Sequence, residues 1–289
     1  SLNLLSNYKF TKAFFPLYIM IDTSQFNGKK VAFQTLGCKL NFAETSAIGR
    51  SLLEAGFQRA KMGENADICI INTCSVTDTA DKKCRQAINK LIHRHPNALI
   101  VVTGCYAQLK PDEITQMPGV DLVLGTNEKS ALPDFITQLE KKQKGESHTV
   151  KTADIRQFTP ICSADDRTRH FLKVQDGCNQ FCSYCAIPFA RGRERSLNHE
   201  QVIQIAKDLC DKGHTEIVLT GIHTGRYDDG EYDLAKLMKA LLENTPDSVY
   251  YRISSIEITE VSDELIGLMQ ENSRMCHHLH IPVQSACNE

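Results

Sequence analysis

The sequence predicts an α/β protein in which parallel strands alternate with helices, arranged in two successive series. From residue 29 onward, short apolar segments alternate with segments of helical periodicity, and the alternation starts again after a polar stretch near residue 150. Repeated β-then-α units of this length favour parallel sheets with right-handed crossovers. The length of 289 residues is sufficient for two domains.

The first series is predicted to form a Rossmann-like parallel α/β domain over residues 29–140. Its predicted strands are 31–35, 67–71, 98–103 and 121–124, and its predicted helices are 44–55, 79–94, 111–117 and 128–141. Residues 141–166 are polar and lack clear periodicity, so we interpret them as a linker between two domains.

The second series is predicted to form another α/β domain over residues 167–289. Its predicted strands are 171–175, 216–220, 250–254 and 278–281, and its predicted helices are 199–212, 234–243 and 262–269. Because the chain stops at Glu289 after a predicted strand, with no closing helix, we expect the natural protein to continue. Residues 1–28 are interpreted as an extension in which Met20 is the natural start, and residues 1–19 are given no function.

Composition excludes several classes of protein. No run approaches about 18 apolar residues, so a membrane partner is not expected. The short, Pro-interrupted apolar run near the N-terminus does not fit a signal peptide, and the chain is predicted to be cytoplasmic. Lys and Arg total 33 against 35 Asp and Glu, so any RNA contact must come from a local patch or from another part of the protein.

Twelve cysteines favour metal or redox sites over a disulfide framework in a long, unsecreted chain. Cys178, Cys182 and Cys185 lie together directly after a predicted strand, where α/β proteins bind ligands. Three thiolates on a cubane cluster leave one iron open to a small molecule. The alternative is a structural zinc site completed by a distant residue such as Cys210, although the spacing differs from the paired C-x2-C of zinc ribbons.

Three further cysteines, Cys38, Cys74 and Cys105, each follow a predicted strand of the first series. Neighbouring parallel strands lie about 4.8 Å apart, so these thiols are expected to converge and share one cluster. Gly37 and Gly104 would let the backbone turn sharply beside it. The alternative is that each is a small buried hydrophobe. Three other cysteines inside predicted elements are interpreted as core thiols: Cys69, Cys84 and Cys210.

Motifs around the six candidate ligands resemble a known family. The C-x3-C-x2-C run, with an aromatic residue before its last cysteine, resembles the radical S-adenosylmethionine (radical SAM) signature. The stretches TLGCKLN at 35–41, NTCSVT at 72–77 and ARGRERS at 190–196 resemble the methylthiotransferase members of that group, and the likeness covers residues 31–289. This resemblance implies that the second domain is a radical SAM partial (β/α) barrel, C-terminally truncated, without the family's RNA-binding barrel.

The resemblance also implies the cofactors. These are two [4Fe-4S] clusters, one on each cysteine trio, and S-adenosyl-L-methionine at the open iron of the Cys178–Cys182–Cys185 cluster. The residues implied to lie near S-adenosylmethionine are Tyr184, Gly221, Ser254, Glu257 and Gln284. For each of them, ordinary turn or packing chemistry is the alternative. Three basic residues are interpreted either as phosphate contacts or as a solvated face: Arg191, Arg193 and Arg195.

By the same resemblance, the reaction is the conversion of N6-threonylcarbamoyladenosine, beside the tRNA anticodon, to its 2-methylthio derivative. The implied partners are tRNA and an electron donor protein such as flavodoxin or ferredoxin. Three alternatives stay open. The first is a methylthiotransferase that acts on isopentenyladenosine in tRNA or on a ribosomal-protein aspartate. The second is a non-catalytic iron–sulfur or zinc binding protein. The third is a radical SAM enzyme with an unrelated substrate.

Overall fold

The computed structural model describes residues 26–61, 63–136, 141–163 and 169–283. They form two α/β units, one around a six-stranded sheet and one around a four-stranded sheet, and the predicted fold class is confirmed. The interpretation of Met20 and the role implied for Gln284 lie outside the described residues. Within the described ranges, no helix combines the length and the apolar character needed to cross a bilayer.

The N-terminal sheet is entirely parallel, with the strand order β2-β1-β3-β4-β5-β6. Every residue of the two central strands, β3 and β4, is buried, which is the pattern of strands covered on both faces. The strands are β1 (Lys30–Thr35), β2 (Gln58–Arg59), β3 (Ile68–Thr73), β4 (Leu99–Gly104), β5 (Leu122–Leu124) and β6 (Glu146–His148).

Helices cover both faces of this sheet because alternate strand residues point to opposite sides. Ile68 and Ile70 pack with the residues of α1 and α5. Cys69 and Ile71 pack with those of α2, α3 and α4. The helices are α1 (Lys39–Glu54), α2 (Asp78–Arg94), α3 (Cys105–Leu109), α4 (Pro111–Thr115) and α5 (Leu132–Phe135).

The C-terminal sheet has the order β12-β11-β8-β7, in which β8, β11 and β12 are parallel and β7 is antiparallel. A separate antiparallel pair joins β9 to β10. The strands are β7 (Ile161–Cys162), β8 (His170–Lys173), β9 (Gln175–Asp176), β10 (Arg195–Ser196), β11 (Glu216–Thr220) and β12 (Tyr250–Ile253). The helices are α6 (Ile187–Arg191), α7 (His199–Asp211), α8 (Leu234–Asn244) and α9 (Asp263–Glu271).

Several predicted elements are wrong in detail. Over 128–136, the helix predicted at 128–141 is a 3-10 turn followed by the short α5, because Pro133 cannot continue a helix and instead begins a new one. Residues 137–140 of that prediction lie outside the described residues. The predicted linker contains β6, whose three exposed residues extend the N-terminal sheet through backbone hydrogen bonds. The strand predicted at 278–281 is a single bridge between Ser255 and His280. Helix α1 begins at Lys39, five residues before its predicted start, and α3 was not predicted.

The two units meet through α1. An apolar cluster joins Ala43 of α1 to Ile161, Phe171 and Val218 of the C-terminal sheet. Arg50 donates a hydrogen bond to the Cys162 carbonyl at 2.5 Å. α1 therefore packs on β7 and β8 as well as on its own sheet.

A substitution at Gly104, the last residue of β4, tests how much the stability of the protein depends on the close approach of the strand ends. Its φ is +99°, and a Cβ there would overlap the backbone of Thr73 on the neighbouring strand. We expect Gly104→Ala to lower the free energy of unfolding by about 3 kcal/mol, because steric overlap adds to left-handed strain. Gly213→Ala is the matched control: φ is +84° there with no atom within 4 Å, and strain alone should cost about 1 kcal/mol. Equal losses in urea denaturation would contradict this account.

Candidate metal centres

The N-terminal thiols lie at the carboxyl ends of three neighbouring strands. The register pairs Thr35 with Asn72 and Thr73 with Gly104, so β1, β3 and β4 end side by side. Three cysteines follow these ends: Cys38 precedes α1, Cys74 directly follows β3, and Cys105 is the first residue of α3. We call Cys38, Cys74 and Cys105 the N-terminal trio.

Close backbone approach holds the loop of Cys38 against Cys74. Gly37 has a φ of +104°, and a Cβ on it would lie 2.7 Å from the Cβ and 3.0 Å from the Sγ of Cys74. Asn41 ties the loops to each other by donating from Nδ2 to the carbonyls of Leu36 at 2.8 Å and Thr73 at 2.9 Å. The Sγ of Cys38 lies 3.8 Å from Asn41 Oδ1. The loop carrying Cys38 is therefore held against the end of β3.

The electrostatics of these thiols reflect burial and mutual proximity. Burial raises the pKa of Cys74 to about 12, and the nearby Cys105 and Cys38 add to the effect. Burial also raises the pKa of Cys105, while the cations of Arg191 and Lys129 oppose it. Without a metal the buried members are thus held as thiols, and coordination would release their protons.

Cys178, Cys182 and Cys185, the C-terminal trio, lie in the loop between β9 and α6. Gly177 precedes them with a φ of +76°, and a Cβ there would overlap the Arg193 carbonyl. The backbone N–H of Cys178 donates to Gly192 O at 3.1 Å, and that of Cys185 donates to Cys182 O at 2.9 Å. The loop is compact, and the Cys182 side is open to solvent.

Three further side chains surround Cys178. His223 Nδ1 lies 3.7 Å from Cys178 Sγ and 3.5 Å from Glu194 Oε1, and His223 Nε2 lies 2.6 Å from Glu260 Oε1. The ligand atoms of Cys178, Glu194 and His223 all lie within 4.8 Å of one another, close enough to share a metal ion. Sequence analysis did not single out either glutamate. Glu194 lies in the 190–196 motif, which was its only signal.

The residues that the resemblance implied to lie near S-adenosylmethionine differ in their exposure and in the groups that they contact. Tyr184 is 71% exposed and interacts electrostatically with Cys182, Cys185 and Glu257, so Tyr184 and Glu257 lie at the C-terminal trio. Ser254 is buried and its hydroxyl lies 3.0 Å from that of Thr224.

Gly221 follows β11 and abuts the side chain of Gln175. The Oε1 of Gln175 accepts hydrogen bonds from the backbone N–H groups of Ile222 at 3.1 Å and His223 at 2.7 Å. Gln175, which sequence analysis did not identify, therefore shapes the loop that presents His223 to Cys178.

The sequence interpretation of Arg191 is wrong: the residue lies neither on a solvated face nor at an exposed phosphate-binding position. Its side chain is 1% exposed, and it donates to Glu44 Oε1 and to Asn41 Oδ1, each at 2.8 Å. The physical reason is that α6 packs against α3 at the contact between the units, where buried carboxylates pair with the guanidinium. Arg193 is exposed, and Arg195 is largely buried with its Nη2 3.2 Å from Asp176.

Further charges are buried beside Arg191. Lys129 Nζ lies 2.5 Å from Glu44 Oε2, and Lys173 Nζ lies 2.6 Å from Asp176 Oδ2. Sequence analysis did not identify this group, because its members come from distant parts of the chain. We call it the interdomain ion cluster; its members are Glu44, Lys129, Lys173, Asp176, Arg191 and Arg195.

Comparison with known families assigns both units. The profile of the uncharacterized protein family UPF0004 matches residues 30–125. The profile of the radical SAM superfamily matches residues 172–289. The chain therefore carries a UPF0004 domain followed by a radical SAM domain.

Individual relatives indicate which members of the radical SAM superfamily the chain is similar to in sequence. The chain is 45% identical to the threonylcarbamoyladenosine tRNA methylthiotransferase MtaB of Bacillus subtilis (strain 168), over 89% of this chain and 58% of that protein. It is 38% identical to the MtaB of Aquifex aeolicus (strain VF5), over 90% and 64%. A tRNA-2-methylthio-N(6)-dimethylallyladenosine synthase of Syntrophus aciditrophicus (strain SB) is 33% identical, over 89% and 57%. The resemblance to methylthiotransferases is confirmed, and the chain spans less than two thirds of these relatives.

Two solved structures of the radical S-adenosylmethionine methyltransferase TsrM from Kitasatospora setae share the fold. One has cobalamin and a [4Fe-4S] cluster bound, and the other has tryptophan and a SAM analogue. The TM-scores are 0.56 and 0.58 at 11% identity, over 88% of this chain and 60% and 59% of those chains. This likeness concerns the arrangement of elements alone.

The buried Glu44 carboxylate predicts a dependence of stability on acid. Burial raises its pKa, but Arg191 and Lys129 outweigh burial and lower the pKa from 4.5 to about 2. Since the folded-state pKa is depressed, the stabilisation is complete above 4.5 and is lost as pH falls toward 2. We expect the urea midpoint to fall across this window, and Glu44→Gln to be destabilised at pH 7 by a few kcal/mol but to depend less on pH.

Glu64→Gln is the control for this prediction, because Glu64 is exposed and pairs with Lys30 at the surface. Its urea midpoint should stay near that of the wild type, because an exposed pair screened by solvent contributes little to stability. A Glu44→Gln variant whose midpoint retains the full wild-type pH dependence would contradict the assignment.

Proposed function

We propose that the N-terminal and C-terminal trios each hold one [4Fe-4S] cluster, with S-adenosylmethionine bound at the C-terminal trio. One observation carries this proposal: two separate sets of three thiols lie in different units, one set after the ends of three neighbouring strands and the other in the single loop after β9. Three thiolates leave one iron of a cubane open to a further ligand. We propose that the two domains are 29–140 and 167–289, and that the segment 141–166 between them adds β6 to the first sheet and β7 to the second.

The surroundings of both trios fit such groups. At the N-terminal trio, glycines at 37 and 104 let the loops approach without side chains between them, and buried cations lie beside Cys105. At the C-terminal trio, Cys182 and Tyr184 are exposed, which leaves an open side for a small molecule. Both sites therefore combine a soft-ligand set with access for an added ligand.

As the activity, we propose the methylthiolation of N6-threonylcarbamoyladenosine in tRNA. The threonylcarbamoyladenosine enzyme of Bacillus subtilis is 45% identical to this chain, whereas the dimethylallyladenosine synthase of Syntrophus aciditrophicus is 33% identical. We infer that tRNA is the substrate, that the enzyme works in the cytoplasm, and that a protein such as flavodoxin or ferredoxin donates the electron.

When bound, the two clusters and S-adenosylmethionine supply radical chemistry, which an inert C–H bond requires and amino-acid side chains do not provide. The residues of the chain bind and orient. Glu260 Oε1 lies 2.6 Å from His223 Nε2, and this close contact keeps the imidazole with Nδ1 toward Cys178. Gln175 holds the backbone of the same loop, and Tyr184 flanks the open side.

Anaerobic reconstitution tests the proposed clusters. We expect about eight irons per wild-type chain and about four after Cys38, Cys74 and Cys105 are changed together to Ala. Cys182→Ala should reduce 5′-deoxyadenosine, formed from S-adenosylmethionine under dithionite, to background. Cys210→Ala, which alters a helix thiol outside both trios, should match the wild type in both assays.

Two results would overturn this proposal in different parts. A wild-type chain that never takes up more than four irons would remove the second cluster. A chain that takes up eight irons but forms no 5′-deoxyadenosine would remove the radical SAM role.

The arrangement around Cys178 favours one second candidate, a mononuclear metal site formed with Glu194 and His223. This set offers one sulfur, one nitrogen and one oxygen ligand, which suits zinc. It predicts one zinc per chain after aerobic purification in zinc-supplemented medium, and loss of that zinc in His223→Ala. Iron–sulfur absorbance that persists in Glu194→Gln would favour the cluster instead.

Nucleoside mass spectrometry tests the substrate. Deleting the gene for this chain should abolish 2-methylthio-N6-threonylcarbamoyladenosine and leave its unmodified precursor, because the proposed activity forms that C–S bond. Complementation with the wild-type gene should restore the product, and a Cys38→Ala gene should not. Loss of the methylthio group from isopentenyladenosine, or from a ribosomal-protein aspartate, would contradict the proposed substrate.

A further inference from the structure

The interdomain ion cluster has unequal numbers of buried charges. Among the described residues, two carboxylates, Glu44 and Asp176, pair with four cations. Glu44, Lys129, Asp176 and Arg191 are each less than 5% exposed. Three of the four cations, Lys129, Lys173 and Arg191, are buried, so one buried positive charge has no carboxylate of its own. Buried ions are stable only when they are paired, and this unmatched charge represents a large desolvation cost. Such an arrangement indicates that an anionic group lies nearby in the functional protein.

The cations lie beside the N-terminal trio. Asn41 Oδ1, which accepts a hydrogen bond from Arg191 Nη2 at 2.8 Å, lies 3.8 Å from Cys38 Sγ, and Lys129 Nζ contacts Glu44 in the same helix α1. Arg191 extends from α6, which packs on α3, and Cys105 is the first residue of α3. The Nε of Arg191 is buried and has no hydrogen-bond partner among the described residues. One donor of the guanidinium therefore remains for a ligand.

The same guanidinium also reaches the loops of the trio. Its Nη2 donates to Asn41 Oδ1 at 2.8 Å. Asn41 in turn holds the loops that carry Cys38 and Cys74 through the carbonyls of Leu36 and Thr73. A residue of the radical SAM domain thus supports the geometry of the thiols in the other domain.

We propose that Arg191 and Lys129 are positioning residues for the group held by the N-terminal trio: they compensate its negative charge, and Arg191 ties its loops to the radical SAM domain. This inference rests on the proposed function, since it requires a cluster at that trio. Three thiolates on a dicationic iron–sulfur core leave one net negative charge, which the one unmatched buried cation offsets. Net charge and hydrogen bonds to sulfur are the factors that set the reduction potential of such clusters.

The experiment isolates the N-terminal site in a chain in which Cys178, Cys182 and Cys185 are all Ala. In that background, Lys129→Met removes a cation and retains the length of the side chain, while Arg191→Met also removes the contact to Asn41. Arg191→Lys retains the charge and loses the planar donor set. Lys141→Met is the matched control, because Lys141 pairs with buried Asp121 at the opposite end of the same sheet.

Two measurements are made: iron loss to a ferrous chelator and the midpoint potential by EPR-monitored titration. We expect Lys129→Met to lower the potential and to lose iron about tenfold faster, which is typical of an altered residue around metal ligands. Arg191→Lys should keep a potential near that of the parent but lose iron faster, because charge remains and positioning does not. Lys141→Met should match the parent in both measurements.

The outcomes separate the two claims. If the parent background binds no iron, the second cluster and this inference both fall. If it binds iron, but Lys129→Met and Arg191→Lys leave potential and iron loss unchanged, only the inference is overturned. Should Arg191→Met fail to fold, the Lys129→Met and Arg191→Lys results still decide, since both variants leave Glu44 paired with a cation.

Discussion

Neighbouring parallel strands must end at the same edge of a sheet, and the candidate chemistry of this chain is built on that constraint. In the N-terminal unit, Thr73 is paired with Gly104, so Cys74 and Cys105 leave the sheet from adjacent positions. Gly37 then allows the loop of Cys38 to touch Cys74, because the loop has no Cβ at the point of contact. Hydrogen-bonded register, rather than any local motif, thus places three thiols that are far apart in sequence at one edge of the sheet.

The contact between the units adds a second constraint. α1 begins directly after Cys38, packs on the C-terminal sheet and carries both Asn41 and Glu44. Arg191 enters this contact from the helix that follows the C-terminal trio. The loops of both trios are therefore connected through one buried guanidinium, so neither unit can shift without disturbing hydrogen bonds near both sites. A reaction that needs two sites in a constant relation would benefit from such a connection.

Most of the fold was predictable because its signals are local. Buried strands such as β3 and β4 are continuous apolar runs, and α2 has a threonine cap and helical periodicity. Errors occurred where local signals were weak or misleading. β6 has only exposed residues, so its pairing depends on the free edge of β5. Helical periodicity across Pro133 suggested one helix where the chain forms two short elements.

The sequence by itself determined the alternation of strands and helices, the six cysteines at strand ends and the resemblance to methylthiotransferases. These features depend on short-range patterns and spacings. Tertiary structure alone decided the surroundings of those cysteines: the pairing of Arg191 with Glu44, 147 residues away, and the placement of Glu194 and Glu260 around His223. A charged residue has the same sequence signature on a solvated face as in a buried ion pair, and only packing determines which of the two it forms.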